Sequence, residues 1–114
     1  MSTARRSAAA SVKRFAPLFA ALGDETRLRI VARLSARGPL SIVRLTVGTG
    51  VTRQAVTKHL GVLSSAGLVR GRRVGRERVW ALDAAQLEQA RRSLARISAQ
   101  WDEALGRLQA FVES

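Results

Sequence analysis

Apolar residues recur at helical spacing along most of the chain and are interrupted by glycine-containing turns. The first apolar stripe predicts a helix over about Val12–Leu22, which Gly23 would end. Asp24 is placed to cap a second helix, and Gly38 followed by Pro39 would stop it. The chain is therefore expected to begin with two successive amphipathic helices.

Two shorter helices separated by a tight turn are predicted next. Ser41 is placed to cap the first of them, and the turn would fall at residues 48–50. Thr52 is placed to cap the second, whose inner positions include Val56 and Leu60. A glycine-bearing turn between two short helices is the arrangement of a helix-turn-helix.

A strand–turn–strand pattern follows this motif. Over residues 68–82 apolar residues alternate with arginine, and Gly75 lies in the turn-like centre. We therefore predict a β-hairpin with a basic tip. Asp83 would then cap the last helix, and Gln86 stands at the position that completes a capping box.

The last helix, predicted over residues 83–112, carries an apolar seam at alternating three- and four-residue spacing. This seam is longer than one small domain can cover, so we predict a homodimer formed through the first and last helices. The residues expected at its interface are Val12, Phe15, Phe19, Leu87, Leu94, Ile97, Trp101, Leu108 and Phe111. The predicted fold class is mainly α with a small β-hairpin, a winged helix-turn-helix.

The N-terminal segment, residues 1–11, is small, polar and basic without periodicity, and we predict a disordered tail there. An arginine- and serine-rich start without acidic residues is also typical of an organellar transit peptide, which is the alternative. Residues 12–114 are expected to form one domain, since a chain of 114 residues leaves little room for a second core.

The charge of the chain is large and unevenly spread. Its 20 Lys and Arg against 8 Asp and Glu give a net charge of +12. Such a chain is expected to bind a polyanion, either nucleic acid or, less often, an anionic membrane surface. Residues 1–82 contain 16 basic and 3 acidic residues, whereas residues 83–114 contain 4 and 5. The polyanion should therefore meet the first part of the chain.

The exposed face of the fourth helix carries side chains that can read DNA bases. A helical wheel places Gln54, Thr57 and Lys58 opposite the buried positions. Glutamine can pair with adenine, threonine can touch a base edge or a thymine methyl, and lysine can bind guanine or phosphate. His59 lies beside the buried edge, which favours a packed or phosphate-touching role over a metal ligand. An ordinary amphipathic surface helix is the alternative interpretation.

The hairpin favours the DNA-binding interpretation. Residues 70–78 contain five Arg and one Glu. A hairpin that meets only solvent gains nothing from the repulsion among these arginines. A wing that lies along a phosphate backbone or in a minor groove uses their positive charge to bind DNA. The residues predicted to contact DNA are Ser41, Thr52, Arg53, Gln54, Thr57, Lys58, His59, Arg72, Arg73, Arg76 and Arg78.

Few other kinds of chemistry fit this composition. The sequence has no cysteine, no tyrosine and one histidine, so thiolate sites are excluded and a metal or acid–base centre is hard to assemble. It contains no nucleophile–base pair, no glycine-rich phosphate loop and no apolar run long enough to span a bilayer. We therefore expect no enzyme activity, no cofactor, no bound metal and no membrane partner.

The order of these motifs resembles the ArsR/SmtB-type winged helix-turn-helix regulators. The resemblance rests on Leu22–Ile30, Val51–Leu60, Ala66–Val69, Arg73, Gly75–Arg76 and Trp80–Leu82. It implies a homodimeric bacterial transcriptional regulator that binds double-stranded DNA. In most cases such a regulator is a repressor that an inducer releases from its operator. The resemblance also implies a cytoplasmic, nucleoid-associated protein, and it leaves the inducer unidentified.

The chain departs from the metal-sensing members of that family. Those members carry cysteine in the third helix, or histidine and carboxylates in the last helix. Here Ser41–Leu45 has no thiolate and residues 83–114 have no histidine. The form of Thr52–Leu60, together with Trp101–Glu103, resembles a metal-independent subgroup. The predicted function is a dimeric repressor that reads an inverted-repeat operator, and a nonspecific architectural DNA- or RNA-binding protein is the alternative.

Overall fold

The computed structural model describes residues 3–113, with their side chains from Ala9 onward. Within this range the elements follow in the order α1 (Thr3–Leu22), α2 (Glu25–Arg37), β1 (Leu40–Ser41), α3 (Ile42–Thr46), α4 (Arg53–Ser65), β2 (Val69–Val74), β3 (Glu77–Leu82) and α5 (Ala84–Glu113). The predicted fold class, mainly helical with a small hairpin, is confirmed.

The first helix begins earlier than the sequence predicts. Residues 3–11, expected as a disordered tail, continue α1 toward the N-terminus, while residues 1 and 2 lie outside the described part of the chain. Alanine at positions 8–10 favours a helix, and a tertiary contact at Ser11 supplies the support that short isolated helices lack. Ser11 is buried and accepts a 2.8 Å hydrogen bond from Arg96 of α5. Pro17 lies inside α1 without ending it.

The predicted N-caps are confirmed at four helix starts. The side chains of Asp24, Ser41, Thr52 and Asp83 each accept a hydrogen bond, of 3.0 to 3.4 Å, from the backbone N–H three residues further on. Of the two hydrogen bonds of the capping box expected at α5, the structure has the one from the N–H of Gln86 to the side chain of Asp83. The N–H of Asp83 donates to the carbonyl of Leu68 at 2.9 Å, which ties the start of α5 to the residue that precedes β2.

The three strands form one antiparallel sheet in the order β1-β3-β2. The hairpin of β2 and β3 is the predicted one, and its turn contains Gly75 in the left-handed region with a φ of 63°. The sequence does not predict β1, because two residues are too few to show alternation. Leu40 of β1 pairs with Trp80 of β3, so the start of the helix-turn-helix is joined directly to the wing.

One hydrophobic core lies between the helices and the sheet. Its fully buried members include Ile30, Leu45, Val56, Leu60, Leu63 and Leu68. The helical spacing of α2 predicts an inner face of Leu28, Val31 and either Leu34 or Ser35. Leu34 is buried as predicted, but Leu28 is 49% exposed and Ile30 is buried instead. This rotation of α2 brings Arg27 inward, where its Nε donates a 2.6 Å hydrogen bond to the carbonyl of Ala21.

Helix α5 is much longer than the core that it covers. Its 30 residues correspond to about 45 Å of helix. Ala90 and Ser93, near its start, are buried against the protomer. Every residue from 98 to 113 is exposed. The C-terminal half of α5 therefore extends past the protomer to which it belongs.

Candidate nucleic-acid interface

Helix α4 is the second helix of the helix-turn-helix, and its two faces differ sharply. Val56, Leu60 and Leu63 are fully buried, which fixes the rotation of α4 on the core. The opposite face is exposed and carries the polar side chains predicted to meet DNA, Arg53, Gln54, Thr57 and Lys58. Gly61 shares this face, and a Cβ added there would meet nothing within 4 Å. Since α4 contains no acidic residue, this face presents only neutral and basic groups.

Hydrogen bonds to the backbone of α4 already orient its N-cap Thr52 and its one threonine, Thr57. Thr52 accepts from the N–H of Ala55 at 3.1 Å and so acts as the helix cap. Thr57 donates from Oγ1 to the carbonyl of Arg53 at 2.9 Å, which commits its hydroxyl proton to its own helix. Thr57 therefore offers a base its methyl group and a hydroxyl lone pair.

His59 lies between α2 and α4 rather than on the exposed face. Its side chain is 23% exposed, and its Nδ1 lies 3.4 Å from Nη1 of Arg27 and 3.9 Å from Oδ2 of Asp24. The backbone N–H of Arg27 donates to the Asp24 carboxylate and holds the pKa of that carboxyl below its ordinary value. Arg27 thus joins the end of α1, the start of α2 and α4, a role that no sequence pattern reveals.

Ser41 lies at the junction of β1 and α3, where it caps the helix. It is half-buried, and its Oγ accepts from the N–H of Arg44 at 3.4 Å. Beside it, the guanidinium of Arg33 donates to the carbonyls of Arg44 and Leu45 at 3.2 and 3.0 Å. The side chain of Arg44 is exposed on α3. Arg44 is a further basic group of the helix-turn-helix. In the sequence, only its position within that motif indicates that it could meet DNA.

The wing presents arginines on both faces and at its tip. Arg73 lies directly opposite Arg78, on the face that carries Trp80, and Arg72 lies on the other face. Arg76 occupies the turn, and all four arginines are exposed. Like charges directly opposite each other destabilise a hairpin by themselves. The wing therefore gains most from a bound polyanion at Arg73 and Arg78.

The base of the wing is fixed by packing and by an ion pair. The guanidinium carbon of Arg78 lies 4.9 Å from the ring centre of Trp80, a cation–π contact. Gly71 lies opposite Trp80 and leaves room for this contact. Arg70 pairs with Asp83 at 3.0 Å where the hairpin meets α5. Arg78, predicted as a DNA contact, thus also has a structural partner.

The residues predicted at a dimer interface fall into two groups. Val12, Leu94, Trp101, Leu108 and Phe111 are between 49 and 78% exposed. Phe19, Leu87 and Ile97 are partly buried within the protomer. Phe15 is only 3% exposed, because the rotation of α1 that buries Leu18 and Ala21 buries Phe15 as well. Phe15 belongs to the protomer core, and a partner could cover little of it.

Neither a metal-binding cluster nor a membrane-spanning helix is found within the described residues, 3–113. No three His, Cys, Asp or Glu side chains in this range lie close enough together to hold one metal ion. No helix in the same range is both long and apolar enough to cross a membrane.

The chain is similar to known DNA-binding regulators. A helix-turn-helix domain family, HTH_20, matches residues 22–72. The HTH-type transcriptional regulator Rv2034 of Mycobacterium tuberculosis is 45% identical over 85 residues, which are 75% of this chain and 76% of that protein. The ArsR-like transcriptional regulator from Rhodococcus sp. RHA1 has a TM-score of 0.75 at 38% identity, over 90% of this chain and 95% of that one.

A third similar structure is that of Mb0332 from Mycobacterium bovis, described as a homodimeric winged helix-turn-helix DNA-binding domain of a possible ArsR-family transcriptional regulator. Its TM-score is 0.58 at 26% identity, over 94% of this chain and 93% of that one.

The helix-turn-helix, its exposed polar face and the arginine-rich hairpin beside it define a winged helix-turn-helix domain of the DNA-binding class. The similarity to the Mycobacterium tuberculosis and Rhodococcus regulators spans most of both chains. The chain belongs to the ArsR-type family of winged helix-turn-helix transcriptional regulators, as the sequence motifs predict.

Proposed function

We propose that this protein is a homodimeric repressor that binds an inverted-repeat operator in double-stranded DNA. The observation that carries the proposal is the pairing of the acid-free exposed face of α4 with a wing whose residues 70–78 contain five arginines. A polar reading face supplies sequence discrimination, and a basic wing supplies affinity for the phosphate backbone. We propose no catalytic activity for the chain.

In the proposed complex the exposed face of α4 enters the major groove. Gln54 and Thr57 contact base edges, and Lys58 and Arg53 contact guanine or phosphate. Gly61 allows close approach of the helix to the groove wall, since it adds no side chain to the exposed face. The wing arginines lie along the phosphate backbone or enter a minor groove.

The proposed dimer is supported by the exposure of α5. Trp101, Leu105 and Leu108 are 55 to 65% exposed on the C-terminal half of that helix. Large apolar side chains repeated on one helix face are expected to be covered by a partner. The homodimeric description of Mb0332 supports a dimer. Two α4 helices about 34 Å apart would then read successive major grooves on one side of the DNA.

Regulation without a metal is part of the proposal. The chain has no cysteine, and its single histidine, His59, packs beside Asp24 and Arg27. A small-molecule inducer remains the expected signal. As a DNA-bound regulator, the protein is proposed to act in the bacterial cytoplasm, associated with the nucleoid.

The proposal is tested by selecting binding sites from random DNA and mapping bound DNA across a bacterial genome. We expect one enriched inverted repeat, bound about 10³- to 10⁷-fold more tightly than random DNA. The Gln54→Ala protein should lose much of this ratio, and the exposed Leu28→Ala protein, altered outside α4 and the wing, should keep it. Equal affinity for every sequence would overturn the proposal in favour of a nonspecific architectural protein.

A further inference from the structure

A groove of about 490 Å³ lies between α1 and α5 and has no part in the proposed DNA contacts. Its lining includes Ser11, Arg14, Phe15, Gln89, Arg92 and Arg96. Its volume falls within the range of about 300–1,000 Å³ that is common for small-molecule sites.

The lining of this groove, which we call the α1/α5 groove, is strongly basic. Arg14 donates to Oε1 of Gln89 at 2.8 Å, and Arg96 donates to the hydroxyl of Ser11 at 2.8 Å. Because both acceptors are neutral, these hydrogen bonds hold the two guanidinium groups in place without neutralising their positive charge. Each guanidinium has five N–H donors, which leaves several for a ligand.

The carboxylate that pairs with the lining residue Arg92 is held mainly by an arginine outside the groove. Glu88 lies 3.4 Å from Nε of Arg92, but it accepts shorter hydrogen bonds of 2.6 and 2.9 Å from Arg91, which is not part of the lining. The hydrogen bonds from Arg91 lower the pKa of Glu88 to about 2. Residues 1–8, whose side chains are not described, contain no Asp or Glu. The groove therefore keeps an excess of positive charge.

An apolar wall formed by Ala10 and Phe15 distinguishes this groove from a plain anion site. Ala10 is exposed, whereas Phe15 is 3% exposed and has the guanidinium carbon of Arg14 5.1 Å from its ring centre. An inorganic anion would leave this apolar wall unused. We propose that the α1/α5 groove binds a small organic carboxylate, with Arg14 and Arg96 on the carboxylate and the wall formed by Ala10 and Phe15 against the apolar body, and that this ligand changes the affinity for DNA.

The effector role rests on the proposed DNA-binding function, and the fold offers a route for it. Helix α1 packs on α5 and also contacts α2 and α4. A ligand that favours one arrangement of α1 and α5 therefore biases the position of α4, which carries the reading face. In the proposed dimer the same two helices would also set the distance between the two α4 helices.

Ligand binding is tested without DNA by titrating ¹⁵N-labelled protein with benzoate, and with benzamide and inorganic phosphate as comparison probes. We expect benzoate to shift the signals of α1, of α5 and of the Arg14 and Arg96 Nε–H groups, with a Kd near ~1 mM. Benzamide has the same ring without the charge, and phosphate has the charge without the ring. Both should bind at least about tenfold more weakly.

The Arg14→Gln/Arg96→Gln protein should lose benzoate binding, and the Arg37→Gln/Arg107→Gln protein, which loses the same charge at two exposed positions outside the groove, should retain it. Equal shifts with benzoate and benzamide, shifts confined to the wing, or no shift in the wild-type protein would overturn the site. If the wild-type protein shows no shift and the Arg14→Gln/Arg96→Gln protein forms a weaker dimer, a second copy of the chain fills the groove.

The effector role has a separate readout. Benzoate at saturation should change the affinity of the wild-type protein for its selected DNA by about 5- to 150-fold, and it should leave the Arg14→Gln/Arg96→Gln protein unaffected. Benzoate binding without any change in DNA affinity would overturn the effector role. A protein that binds benzoate but no DNA would instead overturn the proposed DNA-binding function.

Discussion

Arg78 stacks on Trp80 at 4.9 Å across from a residue that has no side chain, Gly71. A Cβ added at Gly71 would lie 2.8 Å from Nε of Arg78 and 3.0 Å from two carbons of the Trp80 ring. Trp80 is 7% exposed and seals the wing against the core. The glycine therefore sets how closely the wing packs on the rest of the domain.

Substitution of this glycine should displace the wing. We expect Gly71→Ala to lower the free energy of unfolding by about 1–3 kcal/mol, because the added methyl overpacks the Trp80 contact. The affinity for DNA should also fall, because the wing is displaced. Urea unfolding followed by tryptophan fluorescence measures the first effect. Gly61→Ala is the control, since it adds a methyl into open space on a helix and should stabilise folding by about 0.5–1 kcal/mol. A Gly71→Ala protein as stable as the wild type would contradict the role given to Gly71.

Sequence periodicity was sufficient for the elements whose signals are local. The caps at Asp24, Ser41 and Thr52 depend on one side chain and the helix that follows it, and the structure has all three. The exposed face of α4 follows from the apolar positions Val56 and Leu60, which bury the opposite side. The hairpin follows from alternation and a central glycine.

The features that the sequence did not predict depend on contacts distant in the chain. The early start of α1 is accompanied by a hydrogen bond between Ser11 and Arg96, 85 positions apart. The rotation of α2, with Leu28 outside, accompanies the inward turn of Arg27 toward Ala21. A periodic pattern of apolar residues does not show which distant residues pair. For the same reason it does not predict the groove between α1 and α5.

The two proposed reading residues can be separated by substitution. Gln54→Ala should reduce discrimination between selected and random DNA by about 1–3 kcal/mol, the value of one good base contact. At position 57 the hydroxyl proton is donated to the carbonyl of Arg53, and we propose that the methyl group, rather than the remaining hydroxyl lone pair, contacts a base. Thr57→Ser should therefore lose discrimination, whereas Thr57→Val should keep most of it. Affinities for both DNAs measure this, and equal weakening on both DNAs would show that these side chains do not read sequence.

The dimer prediction concerns the exposed apolar side chains of α5. Leu94→Asp or Trp101→Asp would bury a charge in the proposed interface, so we expect monomers that bind the operator weakly. Leu28→Asp is a matched control, since Leu28 on α2 is 49% exposed and Leu94 is 50% exposed. Sedimentation at micromolar concentration distinguishes the proteins. A wild-type protein that sediments as a monomer would contradict the proposed dimer.

Asp24 gives the fold a defined response to acid. Its folded-state pKa is lowered, chiefly by the hydrogen bond from the N–H of Arg27, so its contribution is fully present above the ordinary carboxyl pKa of 3.8. That contribution is lost as the pH falls through the lower, folded-state pKa. Asp24→Ala should reduce the melting temperature at pH 7, and the difference from wild type should shrink below pH 3.8. Asp24→Asn, which still caps, should lie closer to wild type at pH 7. A melting temperature unchanged by Asp24→Ala would contradict the capping role.

The wing is expected to act on DNA through charge more than through sequence. Arg73 and Arg76 are exposed, and Arg73 faces the like charge of Arg78 across the hairpin. Each phosphate contact lowers log K by about 0.9 per decade of salt. A dimer lacking Arg73 and Arg76 in both subunits should therefore bind selected and random DNA more weakly and show a salt slope flatter by roughly two to four units. Folding stability should change little, because exposed substitutions of this kind fall within about ±0.5 kcal/mol.

The salt dependence also tells a phosphate contact from a minor-groove contact. If either arginine enters a narrow minor groove, its loss will weaken A·T-flanked sites more than random DNA. The measurement is affinity for both DNAs at several salt concentrations, for the wild-type and Arg73→Ala/Arg76→Ala proteins. The Arg91→Ala/Arg107→Ala protein loses the same charge from α5 and should keep the wild-type slope. An unchanged slope in the wing variant would mean that the wing stays off the DNA, and its arginines would then be an ordinary solvated surface.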